Sequence, residues 1–209
     1  MYVLDDHDLV RQGLRDLLAP ARDLRVVGDS GKVQGAAELI LRLDTHVMVL
    51  DLHLQDGSGV HVCRQVRAVD PSVQGILVTS ADDDEALAAT VLAGAAGFVV
   101  KLARSSDVMG AIRKLRAAER LMDPALADRA GSALRDRARV LVPRLSEGEL
   151  DVLDRVVAGQ TDREVAEHLG RELTDVQTEV AALTDRLLPA ANGAVAGVAP
   201  AAGKHRRAI

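Results

Sequence analysis

The chain has 209 residues, nearly half of them apolar, and a formal charge of −5. That length holds one large domain or two modest ones with a real core, and the acidic balance argues against retention on nucleic acid by bulk charge. Tyr2 and Phe98 are the only aromatics, so there is almost nothing on which single-stranded bases could stack. The single cysteine, Cys63, excludes an intramolecular disulfide, fits a reducing cytoplasm and reads as a small core residue. No apolar run approaches the ~20 residues of a membrane span, and Met1–Asp5 shows no basic segment leading into a long apolar one, so a secretory signal is not expected.

In chain order, five short apolar runs alternate with helix-period stretches. Tyr2–Leu4, Arg25–Val27, Val47–Leu50, Ile76–Thr79 and Gly97–Val100 are rich in Val, Ile and Leu, as strands covered on both faces are. Val10, Leu14, Leu17 and Leu18 stripe one intervening helix; Met109, Ile112 and Leu115 stripe another. Five strand–helix repeats predict a doubly wound parallel sheet over residues 1–118, with its functional site outside the carboxyl ends of the strands. Residues 119–144 are arginine-rich, punctuated by Pro124 and Pro143 and weakly patterned; they read as a linker carrying some helix. Residues 145–188 carry three helical stripes and no strand signal: Leu150, Leu153, Val156 and Val157; then Val165, Ala166 and Leu169; then Val176, Val180, Leu183 and Leu187. Gly159 fits a helix stop, and Thr161 fits an N-cap three residues before Glu164. Residues 189–209 are rich in Ala and Gly and end in a basic Lys204–Arg207 segment; the composition predicts a disordered tail.

The carboxylates fall at strand ends. Asp5 and Asp6 follow the first run and Asp51 the third, so adjacent strands bring all three to one sheet edge. Clustered anions repel unless protonated or bound to a cation. A hard divalent ion with oxygen ligands, Mg²⁺ above all, relieves that repulsion and leaves positions for water and phosphate. A carboxylate beside such an ion can attack a phosphoryl group. Thr79 ends the fourth run and Lys101 follows the fifth; a hydroxyl and a cation suit the oxygens of that group. Any one of these alone is most simply a turn or cap residue, but five suitable groups at four strand ends make a site. Asp56–Gly59 reads as a tight turn, Asp82–Glu85 as an acidic helix start favourable to the dipole, and His7 and His53 as solvated flanking histidines.

These residues carry a resemblance. Leu4-Asp5-Asp6-His7, Val10-Arg11-Gln12-Gly13-Leu14, Val49-Leu50-Asp51-Leu52, Asp56-Gly57-Ser58-Gly59, Val78-Thr79-Ser80 and Gly94 to Lys101 look like the receiver of LuxR/NarL-type response regulators. The resemblance implies a flavodoxin-like fold, phosphorylation of Asp51 by a histidine kinase, Mg²⁺ held by Asp5, Asp6, Asp51 and the backbone carbonyl of His53, and phosphoryl contacts from Thr79 and Lys101. It puts Phe98 in the switch aromatic position coupled to Thr79. Leu102 stands where many receivers have proline.

The C-terminal stretch is similar to the family's helix-turn-helix through Leu145-Ser146, Glu149, Val152-Leu153, Ala158-Gly159, Thr161 and Arg163–Ala166. The third helix departs from it: Thr-Val-Lys is usual there, and this chain has Asp175-Val176-Gln177-Thr178-Glu179. The residues left to contact DNA are Arg171, Thr174, Gln177, Thr178 and Arg186. Residues 145–188 hold eleven acids and four arginines, a net of −7, which opposes phosphate contact. Two readings therefore stand: a phosphorylation-gated transcription regulator, acting as a homodimer or with a related regulator, and a phosphorylation-gated protein-interaction module whose helical domain binds DNA weakly. A metal-dependent phosphohydrolase using Asp51 as nucleophile has no substrate-pocket signal, so an enzyme is not expected.

Overall fold

The computed structural model describes residues 1–80, 84–101, 105–117, 121–140 and 145–188. The described elements are β1 (Tyr2–Leu4), α1 (Asp8–Leu18), β2 (Gly28–Ser30), α2 (Ala36–Arg42), β3 (Val47–Asp51), a short antiparallel pair β4 (His53–Leu54) and β5 (Gly57–Ser58), α3 (Gly59–Val69), β6 (Gln74–Thr79), α4 (Asp84–Ala93), β7 (Gly97–Val100), α5 (Ser105–Arg116), α6 (Pro124–Val140), α7 (Glu147–Val157), α8 (Asp162–Leu169) and α9 (Leu173–Leu187). The main sheet runs β2-β1-β3-β6-β7, all parallel.

Alternation along the strands divides the core. Tyr2, Leu4, Met48, Leu50 and Leu77 face α2, α3 and α4. Val3, Val47, Val49 and Ile76 face α1 and α5, where Leu18, Ile112 and Leu115 complete a second cluster. Burying each such Val, Leu or Ile contributes about 1.5–3 kcal/mol. Cys63 lies in the first cluster, fully buried, and burial pushes its thiol up to about 12.

One strand lies elsewhere than expected. Arg25–Val27 is not β2; the ladder pairs Tyr2–Leu4 with Gly28–Ser30, and Val27 enters only through its N–H, which donates to the Met1 carbonyl at 2.8 Å. Val26 packs against the second core cluster from outside the strand. The strand itself is polar because it is an edge, and Asp29 within it is held by Arg11 and Arg15 from α1.

The arginine-rich stretch contains α6, a helix of 17 residues that packs on α4 and α7 through Ala130, Leu134 and Ala138. Ser146 and Thr161 cap α7 and α8, each in a reciprocal box with Glu149 and Glu164. Gly159 and Gly170 end those helices at positive φ, where a side chain would be strained. The cores of the two halves merge: Val152, Leu153, Val156, Val165, Val176, Val180, Leu183 and Leu187 belong to the same cluster as the α3–α4 face of the sheet. At that seam the Arg64 guanidinium, buried on α3, bonds Asp162 at the start of α8 and the carbonyls of Leu92 and Gln160. Asp82, Asp83, Leu102, the ends of the 119–144 stretch and the whole 189–209 tail lie outside the described residues.

Candidate functional site

Parallel pairing sets the site. β1 and β3 lie side by side with Leu4 opposite Leu50, so the residues that follow, Asp5 and Asp51, leave the sheet at neighbouring points. β6 brings Thr79 to the same edge, and β7 carries the chain to Lys101, whose N–H donates to the Thr79 carbonyl at 2.7 Å. Asp5, Asp51 and Thr79 are all buried.

Four of the five groups predicted from the strand ends converge, and Thr79 ends β6 at the same edge. Lys101 Nζ lies 2.6 Å from Asp51 Oδ2 and 3.0 Å from Asp5 Oδ2. One ligand atom from each of Asp5, Asp6, His7 and Asp51 lies within 4.8 Å of the others. Burial pushes the Asp51 carboxyl above the usual carboxylate range; the like charge of Asp5 adds to the rise, and the hydrogen bond from Lys101 opposes it. Burial works against the charge on Lys101, but its hydrogen bonds to Asp51 and Asp5 carry its pKa upward. A lysine thus neutralises two carboxylates that would otherwise repel.

The donor set fits a hard divalent cation. Three carboxylates supply oxygen ligands at one edge. Asp6 Oδ1 is buried with no hydrogen-bond donor, since His7 Nδ1, although 2.7 Å away, lacks hydrogen-bonding geometry. The His53 N–H makes a long 3.4 Å contact to Asp51 Oδ1, and the His53 ring lies 3.5 Å from Glu85. His7, expected to be a solvated neighbour, is largely exposed yet has a ring nitrogen in the cluster. Gly59 is the close neighbour of Asp51: a Cβ there would run into the Asp51 carbonyl, so glycine lets α3 begin directly beneath the site. Phe98 is half-buried on β7, opposite Leu77, against the first core cluster.

The residues singled out for DNA are not gathered into a basic surface. Arg171 pairs with Glu179 at 2.6 Å, and Arg186 pairs with Glu149. Thr174 and Thr178 are exposed on α9, the Thr178 hydroxyl donating to the Thr174 carbonyl at 2.8 Å; Gln177 is half-buried. Two arginines matter structurally without a role assigned to them from the sequence: Arg11, which stands within the receiver-like motif Val10–Leu14, and Arg64. Arg64 interrupts an otherwise apolar face of α3, which is a hint of burial, but nothing local indicates a partner in α8.

Residues 1–113 match the family described as the response regulator receiver domain. The chain is a response regulator. It is 32% identical over 189 residues to the DNA-binding transcriptional activator DevR/DosR of Mycobacterium tuberculosis, covering 90% of this chain and 87% of that protein. A LuxR-family response regulator from Aurantimonas superposes with a TM-score of 0.55 at 26% identity, over 63% of this chain and 94% of that one. Salmonella typhimurium RcsB shares the fold across both halves, with a TM-score of 0.52 at 23% identity over 89% of this chain and 90% of that one. The response regulator thus joins a receiver sheet to a LuxR-type helical output domain, as its sequence leads one to expect. No helix among the described residues is long and apolar enough to cross a membrane.

Proposed function

We propose that Asp51 is the phosphoacceptor of this response regulator and that phosphorylation there sets the state of the helical output domain. The observation that carries the reading is the convergence of Asp5, Asp6 and Asp51 with Lys101 at one sheet edge. Asp5, Asp6 and Asp51, with the His53 carbonyl, would hold Mg²⁺, which when bound supplies charge neutralisation at the phosphoryl oxygens. An Asp51 carboxylate oxygen attacks the phosphorus of a phosphohistidine on the partner kinase; the P–O bond forms, the P–N bond breaks, and the leaving imidazole takes up a proton. Lys101 then transfers its contact from the Asp51 carboxylate to a phosphoryl oxygen, and the Thr79 hydroxyl contacts another. Phe98 follows Thr79 as the aromatic member of the switch.

The division into a receiver (1–118), a linker with helix (119–144) and an output domain (145–188) goes with this reading. DevR/DosR, a DNA-binding transcriptional activator, supports transcription control through DNA as the output. One observation favours the second reading, a protein-interaction output: both arginines that could reach phosphate from the α9 side are already paired with glutamates. Treatment with a small phosphodonor and Mg²⁺, followed by a gel shift on the cognate upstream region across a salt series, tests both. A phosphorylation-dependent, salt-sensitive shift supports the first; phosphorylation of Asp51 with no shift at any salt supports the second.

A further inference from the structure

Arg11 sits on the first turn of α1 with its side chain only 17% exposed, turned back toward the sheet edge rather than into solvent. Its NH1 donates to the backbone carbonyl of Asp5 at 2.7 Å. Its Nε donates to Asp29 Oδ2 at 3.2 Å, and its NH2 pairs with Asp8. A single planar guanidinium therefore joins the residue that follows β1, the middle of β2 and the start of α1. Arg15 pairs with the same Asp29 oxygen and braces the anchor. The loop between these points is Asp5-Asp6-His7, folded on itself by the His7 N–H bonded to Asp5 Oδ1 at 2.9 Å. The Asp5 N–H bonds the Ser30 carbonyl at 3.1 Å.

Resting on the phosphoacceptor reading above, we propose that Arg11 is a positioning residue: it fixes the β1–α1 loop so that Asp5 and Asp6 are presented together to a divalent cation. Lys101 offsets the repulsion between Asp5 and Asp51, but Asp6 Oδ1 has no hydrogen-bond donor, His7 Nδ1 lying 2.7 Å away out of bonding geometry, so the presentation of Asp6 depends on how the loop backbone is anchored. Arg11 binds the loop by its backbone and so leaves both carboxylates of the pair available. It uses a fork of donors to do so, and that geometry is not available to an ammonium group. A residue that orients metal ligands from behind typically changes metal affinity by about 10–100-fold when removed.

The test is Mg²⁺ titration by calorimetry on the full chain, with Arg11→Gln, Arg11→Lys and Asp29→Asn beside the native protein and Asp51→Asn as a control. Thermal unfolding in chelator is measured for each, and phosphorylation by a small phosphodonor is followed as a function of Mg²⁺. The expected result is a rise of about tenfold in the Mg²⁺ dissociation constant for Arg11→Gln and for Arg11→Lys alike. The half-saturating Mg²⁺ for phosphorylation shifts by the same factor, and the maximal rate is retained. Asp29→Asn moves in the same direction, and it decides the matter if the Arg11 variants do not fold. An unchanged Mg²⁺ affinity in the folded variants, or full rescue by lysine, overturns the proposal. Should the native protein bind Mg²⁺ and take phosphate on Asp51 while the variants bind equally well, only the role of Arg11 falls. If the native protein takes up no Mg²⁺, or Asp51→Asn is still phosphorylated, the reading of the site itself falls with it.

Discussion

The Nε of Arg64 lies 2.7 Å from a carboxylate oxygen of Asp162, 98 residues further along the chain, and both side chains are buried. The same guanidinium donates to the Leu92 carbonyl at the end of α4, at 2.8 Å. Beside it Arg163 Nε donates to the Ala68 carbonyl of α3 at 2.9 Å, and His61 approaches Asp185 of α9 at 3.4 Å. The first turn of α8 is thus tied to the receiver, and α4, which follows the Thr79 strand, shares the tie. A displacement of α4 on phosphorylation would be felt directly at the output domain.

Removing one partner of a buried pair leaves an uncompensated charge. Arg64→Ala is therefore expected to cost about 3–5 kcal/mol of folding stability, measured by urea denaturation. The double variant with Asp162→Ala should lose less than the sum of the two singles. Additive losses would mean that the two side chains do not depend on each other.

The caps of α7 and α8 make the helical domain sensitive to acid. Backbone hydrogen bonds from Ser146 and Thr161 hold the Glu149 and Glu164 carboxyls below their ordinary value of 4.5. Depressed carboxyls stabilise the fold above the unfolded value, and that contribution is lost as pH falls from there through the folded value. Glu149→Gln and Glu164→Gln should melt below the native protein near neutral pH and converge with it in acid. A gap in melting temperature that stays constant with pH would rule this out.

Cys63 supplies a reporter of opening. Its thiol is fully buried and held near 12, so the thiolate is scarce at any working pH. A disulfide reagent at pH 8 should label the folded protein only as fast as it unfolds and the denatured chain at once. Rapid labelling in native buffer would show that the α3 face is not packed as described.

Much of this was legible in the sequence because it rests on short-range rules. Apolar runs without alternation marked four of the five main strands, and the Thr161–Glu164 spacing marked a cap. The strand ends alone put Asp5, Asp6, Asp51, Thr79 and Lys101 at one edge. What escaped is long-range. β2 was misplaced because hydrophobicity pointed to Val26 and Val27, whereas the ladder takes in Asp29, which sits on an edge strand and is paired with Arg11 and Arg15. The depth of α6 was hidden because its buried face is made of Ala130, Gly131, Leu134 and Ala138, three of which are too small to register as an apolar stripe. The Arg64–Asp162 pair was invisible because charge complementarity between residues so far apart has no local signature.

The ion pairs around α9 bear on output. Glu179→Gln should release Arg171 and remove one repulsive charge. If DNA is the partner, affinity for the upstream region should rise, and the salt slope should steepen by about one unit as a further phosphate contact forms. An unchanged salt slope would favour a protein partner.

The most direct test of the central claim is the intact mass of the native protein and of Asp51→Asn after treatment with a phosphodonor, with Mg²⁺ and with chelator. Phosphorylation at Asp51 predicts one added phosphoryl group on the native chain in Mg²⁺, and none in chelator or in the variant. Equal phosphorylation of the variant, or none in the native protein with Mg²⁺ present, would contradict it.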